Sequence, residues 1–153
     1  DQASPLPSSE QTSFSGLNYY PPQIDFHIKG DLHLYGRQRR VLSPTNTDSL
    51  VHVVRFGRFV AEFRGDPFWL EIYRTEGTDQ LSVFFTDPTN GVTTYGGGRY
   101  APIHRLPDGQ YLLDFNEAYN PYCAYNEIYI CPLPPTQNRL TFPVKAGETA
   151  HTP

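Results

Sequence analysis

The sequence predicts an all-β protein, a single-domain antiparallel β-sandwich or barrel with at most short helical turns. Three observations predict it. The chain is rich in Tyr (11), Phe (10), Pro (15) and Gly (12) and has no Met, which favours strands and turns over helix. Apolar and polar residues alternate with period two in several short runs, as in half-buried strands. Turn signals recur between those runs, and no helical period of any length appears.

The elements follow in order. Residues 1–16 form a flexible, Pro- and Ser-rich lead-in. Phe14, Leu17, Tyr19 and Tyr20 then give an apolar patch expected to dock on the body. Ile24, Phe26 and Ile28 alternate with Asp25, His27 and Lys29, which reads as a strand. Gly30-Asp31 is a turn signal, and Leu32 and Leu34 continue as a second strand of a hairpin. Two β-branched and aromatic runs, 50–56 and 58–64, flank Gly57 and predict a hairpin or a sharply bent strand. Residues 68–74 and 81–86 repeat the theme across a turn at 76–79. Asn90-Gly91 marks a hairpin turn, because that pair favours positive φ, and 92–95 leads back out. Leu106-Pro107-Asp108-Gly109 is a further turn and 111–115 a short strand. Asp114 or Asn116 would cap a brief helix ended by Pro121. Residues 138–144 are the last strand candidate. The β domain spans 17–145, and 146–153 is a small polar tail.

Bulk properties exclude several classes. A chain of 153 residues is one domain by length and can bury a core without staples. Net charge is −4 and the 12 basic residues are scattered, so no basic stripe marks a nucleic-acid partner. No apolar run approaches the roughly 20 residues of a spanning helix, so the chain is not expected to be a transmembrane protein. The missing Met implies processing or trimming. The polar, Pro-rich opening fits cleavage of an export signal, so the expected location is extracellular or in the cell envelope, with the cytoplasm as the alternative.

Candidate chemistry concentrates in residues 93–135. Cys123 and Cys131, with seven residues between them, are a disulfide candidate that would contribute roughly 2.5–3 kcal/mol by loop closure. Buried free thiols, or a soft metal completed by His104 or Asp114, are the alternatives. The spacing is not a zinc-knuckle spacing, and no metal or cofactor is expected. The glycine triplet before Arg99 would let backbone N–H groups converge on an anion beside the guanidinium. It lacks the following helix of a phosphate loop, and a close backbone crossing is the competing reading. Asp114 and Glu117 are a carboxylate pair that acid–base work would need in one cleft, although Asp114 after a strand also reads as a cap. Tyr111, Tyr119, Tyr122, Tyr125 and Tyr129 crowd around the cysteines and suggest a binding surface with rigid apolar area and polar tips. The five histidines show no ligand spacing. Arg64-Gly65-Asp66 spells an adhesion tripeptide too short to carry weight.

The C-terminal half carries a pattern: Tyr95-Gly96-Gly97-Gly98-Arg99, Asp108-Gly109, Asp114-Phe115-Asn116, Asn120-Pro121, Cys123-Ala124, Cys131-Pro132-Leu133-Pro134-Pro135, Asn138-Arg139-Leu140 and Ala146-Gly147-Glu148. With Ser4-Pro5-Leu6 and Phe14-Ser15-Gly16-Leu17 at the front, it resembles the DUF1684 family of bacterial and archaeal proteins of unknown function. The resemblance covers nearly the whole chain. It implies a single domain with a site near the C-terminal motif, and it names no activity. Relatives usually carry a segment ahead of Ser-Pro-Leu, in keeping with a processed or trimmed start here.

The sequence therefore points to a non-catalytic binding or assembly module with a protein partner or a homo-oligomer. No catalytic residue is assigned. Its ligand or partner surface candidates are Arg99, His104, Asp114, Asn116, Tyr119, Tyr122, Tyr125 and Tyr129. The rival is a small enzyme or cofactor- or metal-binding protein with a site around Arg99, His104, Asp114, Asn116 and Cys123.

Overall fold

The computed structural model describes residues 4–152. Six strands follow one another around a closed barrel, each antiparallel to its neighbours: β1 (His27–Pro44), β2 (Leu50–Phe63), β3 (Asp66–Arg74), β4 (Leu81–Phe85), β5 (Arg99–Arg105) and β6 (Tyr111–Asp114). β6 returns to β1 and closes the ring. Helix among the described residues is limited to α1 (Ser8–Gln11) and short 3-10 turns. The expected all-β class is realised as a barrel.

β1 is continuous, so the expected hairpin at Gly30-Asp31 is not formed. The period-two signal there is real, but Gly30 serves a corner rather than a turn. Residues His27 to Gly30 pair with β6, and Asp31 onward pairs with β2. At the crossing a Cβ on Gly30 would come within 2.4 Å of the Val60 carbonyl oxygen, so only glycine fits. The expected strand at 24–28 begins later, at His27, after a 3-10 turn over Ile24–Phe26. Of the two readings at Gly57, the bent strand holds, because β2 runs through with a register shift beside that residue. Arg64-Gly65 is the actual hairpin turn, with φ of 51° and 85° between the paired Phe63 and Asp66.

The barrel interior is filled by side chains. Phe59, Leu70, Ile72, Val83, Phe85, Ala101, Leu113 and Phe115 form one buried cluster. Inward Phe59, Ala61 and Phe63 alternate with exposed Arg58, Val60 and Glu62 on β2. A second cluster of Val53, Tyr73 and Phe84 packs on the outside of the sheet with Val41 and Tyr100.

The weak seam is between β3 and β4, which pair only at Tyr73↔Ser82 and Arg74↔Leu81. Residues 138–144, expected as a strand, instead form an extended strap across that seam. The Asn138 amide replaces ladder bonds. Its Nδ2 donates to the carbonyls of Glu71 and Phe84, both at 2.9 Å, and its Oδ1 accepts from Glu71 N–H at 2.7 Å. Thr86 and Leu140 add backbone bonds on the same line. The Asn90-Gly91 hairpin is also replaced. Asp87 turns the chain by accepting from the Thr89 amide and hydroxyl, and 92–95 is not a strand.

Of the lead-in, α1 is one turn behind buried Leu6, with Gln11 Nε2 donating to the Leu6 carbonyl at 3.0 Å. Residues 1–3 of the lead-in and residue 153 of the tail lie outside the described residues. No helix among those described is long and apolar enough to cross a membrane.

Asn138→Ala leaves three buried backbone groups unpaired, and it is expected to lower the unfolding free energy by about 3 kcal/mol or more. Urea denaturation measures this; a loss below about 1 kcal/mol would mean the seam closes without the amide.

Candidate functional site

Arg99 opens β5 and is fully buried. Its Nη1 donates to the carbonyls of Ala146 and Glu148, the latter at 3.1 Å, and its Nη2 donates to the Val144 carbonyl at 2.8 Å. The Asp87 carboxylate lies 3.6 Å from Nη2, and the guanidinium carbon stands 5.3 Å from the centre of the Phe85 ring. Burial pushes the guanidinium below its ordinary value, and Asp87 pushes it back. Asp87 Oδ2 also accepts from Val144 N–H at 2.8 Å. The ion pair therefore clasps the last folded segment onto the barrel. The preceding glycines make room. Gly98 has φ of 93°, and a Cβ there would meet the Phe85 carbonyl oxygen at 2.6 Å, so the last glycine of the triplet works as a close backbone crossing.

The 119–135 segment lies over the outer cluster. Tyr100 and Tyr119 exchange both backbone hydrogen bonds, and the Tyr100 hydroxyl donates to the Pro132 carbonyl. Asn46 holds the other side. Its amide accepts from Cys131 N–H at 2.8 Å and donates to the Tyr129 carbonyl at 3.0 Å, and its own N–H reaches the Cys131 carbonyl. The tyrosines divide between inside and outside. Tyr119 and Tyr122 are exposed, and Tyr122 meets half-buried Tyr129 edge-on at 5.3 Å. Half-buried Tyr125 stands 5.0 Å from the His151 ring.

The expected disulfide is not formed. Cys123 and Cys131 are both free. The Cys123 N–H donates to Cys131 Sγ at 3.4 Å, and Tyr95 Oη lies 3.8 Å from Cys123 Sγ. Asn46 fastens the Cys131 end of the loop to the segment after β1. Burial pushes the Cys131 thiol up to about 11 and the Tyr95 hydroxyl up to about 12. Cys131 thus stays protonated and unreactive at neutral pH.

The remaining candidates fall into separate places. His104 Nε2 meets Glu117 Oε2 at 3.0 Å on an exposed face. Asp114 caps the 3-10 turn Phe115–Glu117, accepting from the Asn116 amide and side chain. Asn116 in turn exchanges hydrogen bonds with the Gln23 backbone. Among the described residues, no group of three or more His, Cys, Asp or Glu could hold a metal ion.

Two features were not singled out in the sequence. On the outside of β1 to β3, Arg58 stacks over Trp69 at 4.4 Å, and the Tyr35 hydroxyl donates to the Glu71 carboxylate beside Arg55. Near the tail, Asn120 and Glu148 are buried polar side chains beneath the lead-in. The first is visible only once the strands are in register. The second had a signal, the closing Ala-Gly-Glu, without a location.

A closed six-stranded antiparallel barrel, filled inside and belted by its own C-terminal third, defines the class. The chain belongs to the DUF1684 family, described as a protein of unknown function, whose match covers residues 12–149. It is similar to an uncharacterized protein of Haloarcula marismortui solved by solution NMR, with 34% identity and a TM-score of 0.77. That likeness covers 95% of this chain and 82% of the other. No curated protein matches the chain.

Arg99→Met strands the Asp87 carboxylate and three carbonyls in the interior, and it is expected to cost about 3–5 kcal/mol. Adding Asp87→Asn should recover part of that loss in the same denaturation measurement. Near-wild-type stability of the single variant would refute the clasp.

Proposed function

We propose that this barrel is a non-catalytic binding module, working outside the cytoplasm, that pairs with a second copy of itself through the outer face of the 119–135 segment. The observation that carries the reading is that face. Tyr122, Ile128, Ile130 and Leu133 are 54%, 77%, 53% and 36% exposed. Only one charged residue, Glu127, interrupts the 17 residues. An apolar stretch depleted of charge has the composition of an interface core. Its rigid prolines and the Tyr122–Tyr129 pair have little freedom to lose on binding. A patch of this kind can meet its own copy across a two-fold axis. Because the lumen is filled with side chains, binding has to use the outside of the barrel. The location outside the cytoplasm rests on the composition of the opening residues, and with both cysteines free no cross-link adds to it.

The enzyme reading draws no support from the geometry. Arg99 is sealed in the clasp, Asp114 is spent on a cap, and Cys123 faces Tyr95.

Light scattering over a wide concentration range tests the pairing. The expected result is a mass twice that of one chain, reverting to one chain in Ile128→Lys/Ile130→Lys with the fold intact. A monomer at every concentration would defeat the reading.

A further inference from the structure

A cleft of about 280 Å³ separates the lead-in from the tyrosine segment. Its walls are mostly apolar: Leu6, Phe14 and Leu17 on the lead-in side, and Tyr119, Tyr122 and Tyr125 opposite. Asn120 and Glu148 also line it, although each residue is only 2% exposed. Both have acceptors with no hydrogen-bond partner among the described residues, Asn120 Oδ1 and Glu148 Oε1. The rest of each side chain is committed. Glu148 Oε2 accepts from Asn120 N–H at 2.7 Å, and Asn120 Nδ2 donates to the Thr149 carbonyl at 2.9 Å. A buried acceptor without a donor is costly, so two beside one cleft ask for a donor.

The local charges say which kind. Arg99 is the nearest buried cation, and its ion-pair partner is the Asp87 carboxylate. Toward Glu148 it spends a hydrogen bond on the backbone carbonyl only, and its Nε, like Asp87 Oδ1, has no hydrogen-bond partner among the described residues. His151 stands near the Phe14 and Tyr125 rings and directs Nε2 to Glu10 at 3.3 Å. Around Arg99 there are thus two buried carboxylates, Asp87 and Glu148, for one guanidinium. No residue lining the cleft is cationic. Burial raises the Glu148 carboxyl, against the opposite pull of Asn120, Arg99 and His151. Tyrosine faces add negative quadrupoles that attract a cation.

We propose that this cleft binds a small primary ammonium compound with an apolar, preferably aromatic, body. The ammonium donates to Glu148 Oε1 and Asn120 Oδ1, and the body lies among Phe14, Leu17 and the tyrosine rings. The volume suits a single-ring arylalkylamine and excludes a nucleotide or an oligosaccharide. The cleft is completed within one chain, so a monomer would still have it, although Tyr122 belongs both to its wall and to the proposed pairing face.

Phenethylammonium and its uncharged counterpart 2-phenylethanol are the probes, titrated into the full chain and followed by calorimetry and by NMR shifts. The expected result is one phenethylammonium per chain, with shifts at Tyr119, Asn120, Tyr122 and Glu148, and at least tenfold weaker binding of the alcohol. Glu148→Gln keeps an acceptor for the Asn120 N–H and should bring the two affinities together. Tyr122→Leu, at an exposed position, should weaken the cation several-fold and serves if the first variant does not fold. Absence of phenethylammonium binding, equal affinities for amine and alcohol, or wild-type binding by either folded variant would overturn the proposal.

Discussion

The buried Arg99–Asp87 pair is the constraint on which the rest depends. A guanidinium taken wholly out of water costs several kcal/mol and is tolerable only if its charge and donors are answered. Here Asp87 answers the charge and three tail carbonyls accept from Nη1 and Nη2, while Nε has no hydrogen-bond partner among the described residues. Arg99 is the first residue of β5, and Asp87 follows β4. The pair therefore ties the middle of the barrel to the last residues of the chain. With Val144 N–H on Asp87 and Glu148 N–H on Ala118, the tail becomes part of the wall.

That tie organises the outer layer. A six-stranded barrel with a two-rung seam at β3–β4 needs something across the gap, and the Asn138 strap supplies it. The strap stays in place because its far end is held at Val144 by the clasp. The 119–135 segment is held between β5, through Tyr100, and the loop after β1, through Asn46. Its inner side meets the outer apolar cluster at Tyr100, through Tyr119 and Pro132, and Tyr122, Ile128 and Ile130 are exposed. Hydrogen bonds from a single asparagine, Asn46, hold the Tyr129–Cys131 end of the segment in place.

Much of the fold was legible in the sequence because barrel strands alternate with period two. β2, β3, β4 and β6 follow from it directly. Glycine was misread where its purpose is long-range. Gly30 looks like a turn locally, yet it exists for Val60 on another strand. β5 escaped notice because of Pro102, which stands where β5 passes from β4 to β6 and so interrupts little of either ladder. Residues 138–144 resemble a strand because they are extended, but a side-chain amide stands in for their missing partner. For the candidate site, the crowd of tyrosines near the cysteines was visible, as was Asp114 as a cap. Whether Arg99 faces a ligand or the core was not, since a glycine-flanked arginine reads the same either way. The apposition of Glu148 and Asn120 with Phe14 joins residues more than a hundred positions apart, and no local pattern encodes it.

Native-state hydrogen exchange of the C-terminal amides tests the clasp most directly. Val144, Glu148 and Thr149 donate to Asp87, Ala118 and Asn18. If the tail is part of the barrel wall, these amides exchange only with global unfolding, as slowly as the core strands. Exchange at the rate of a frayed terminus, with β2 and β3 still protected, would contradict the account.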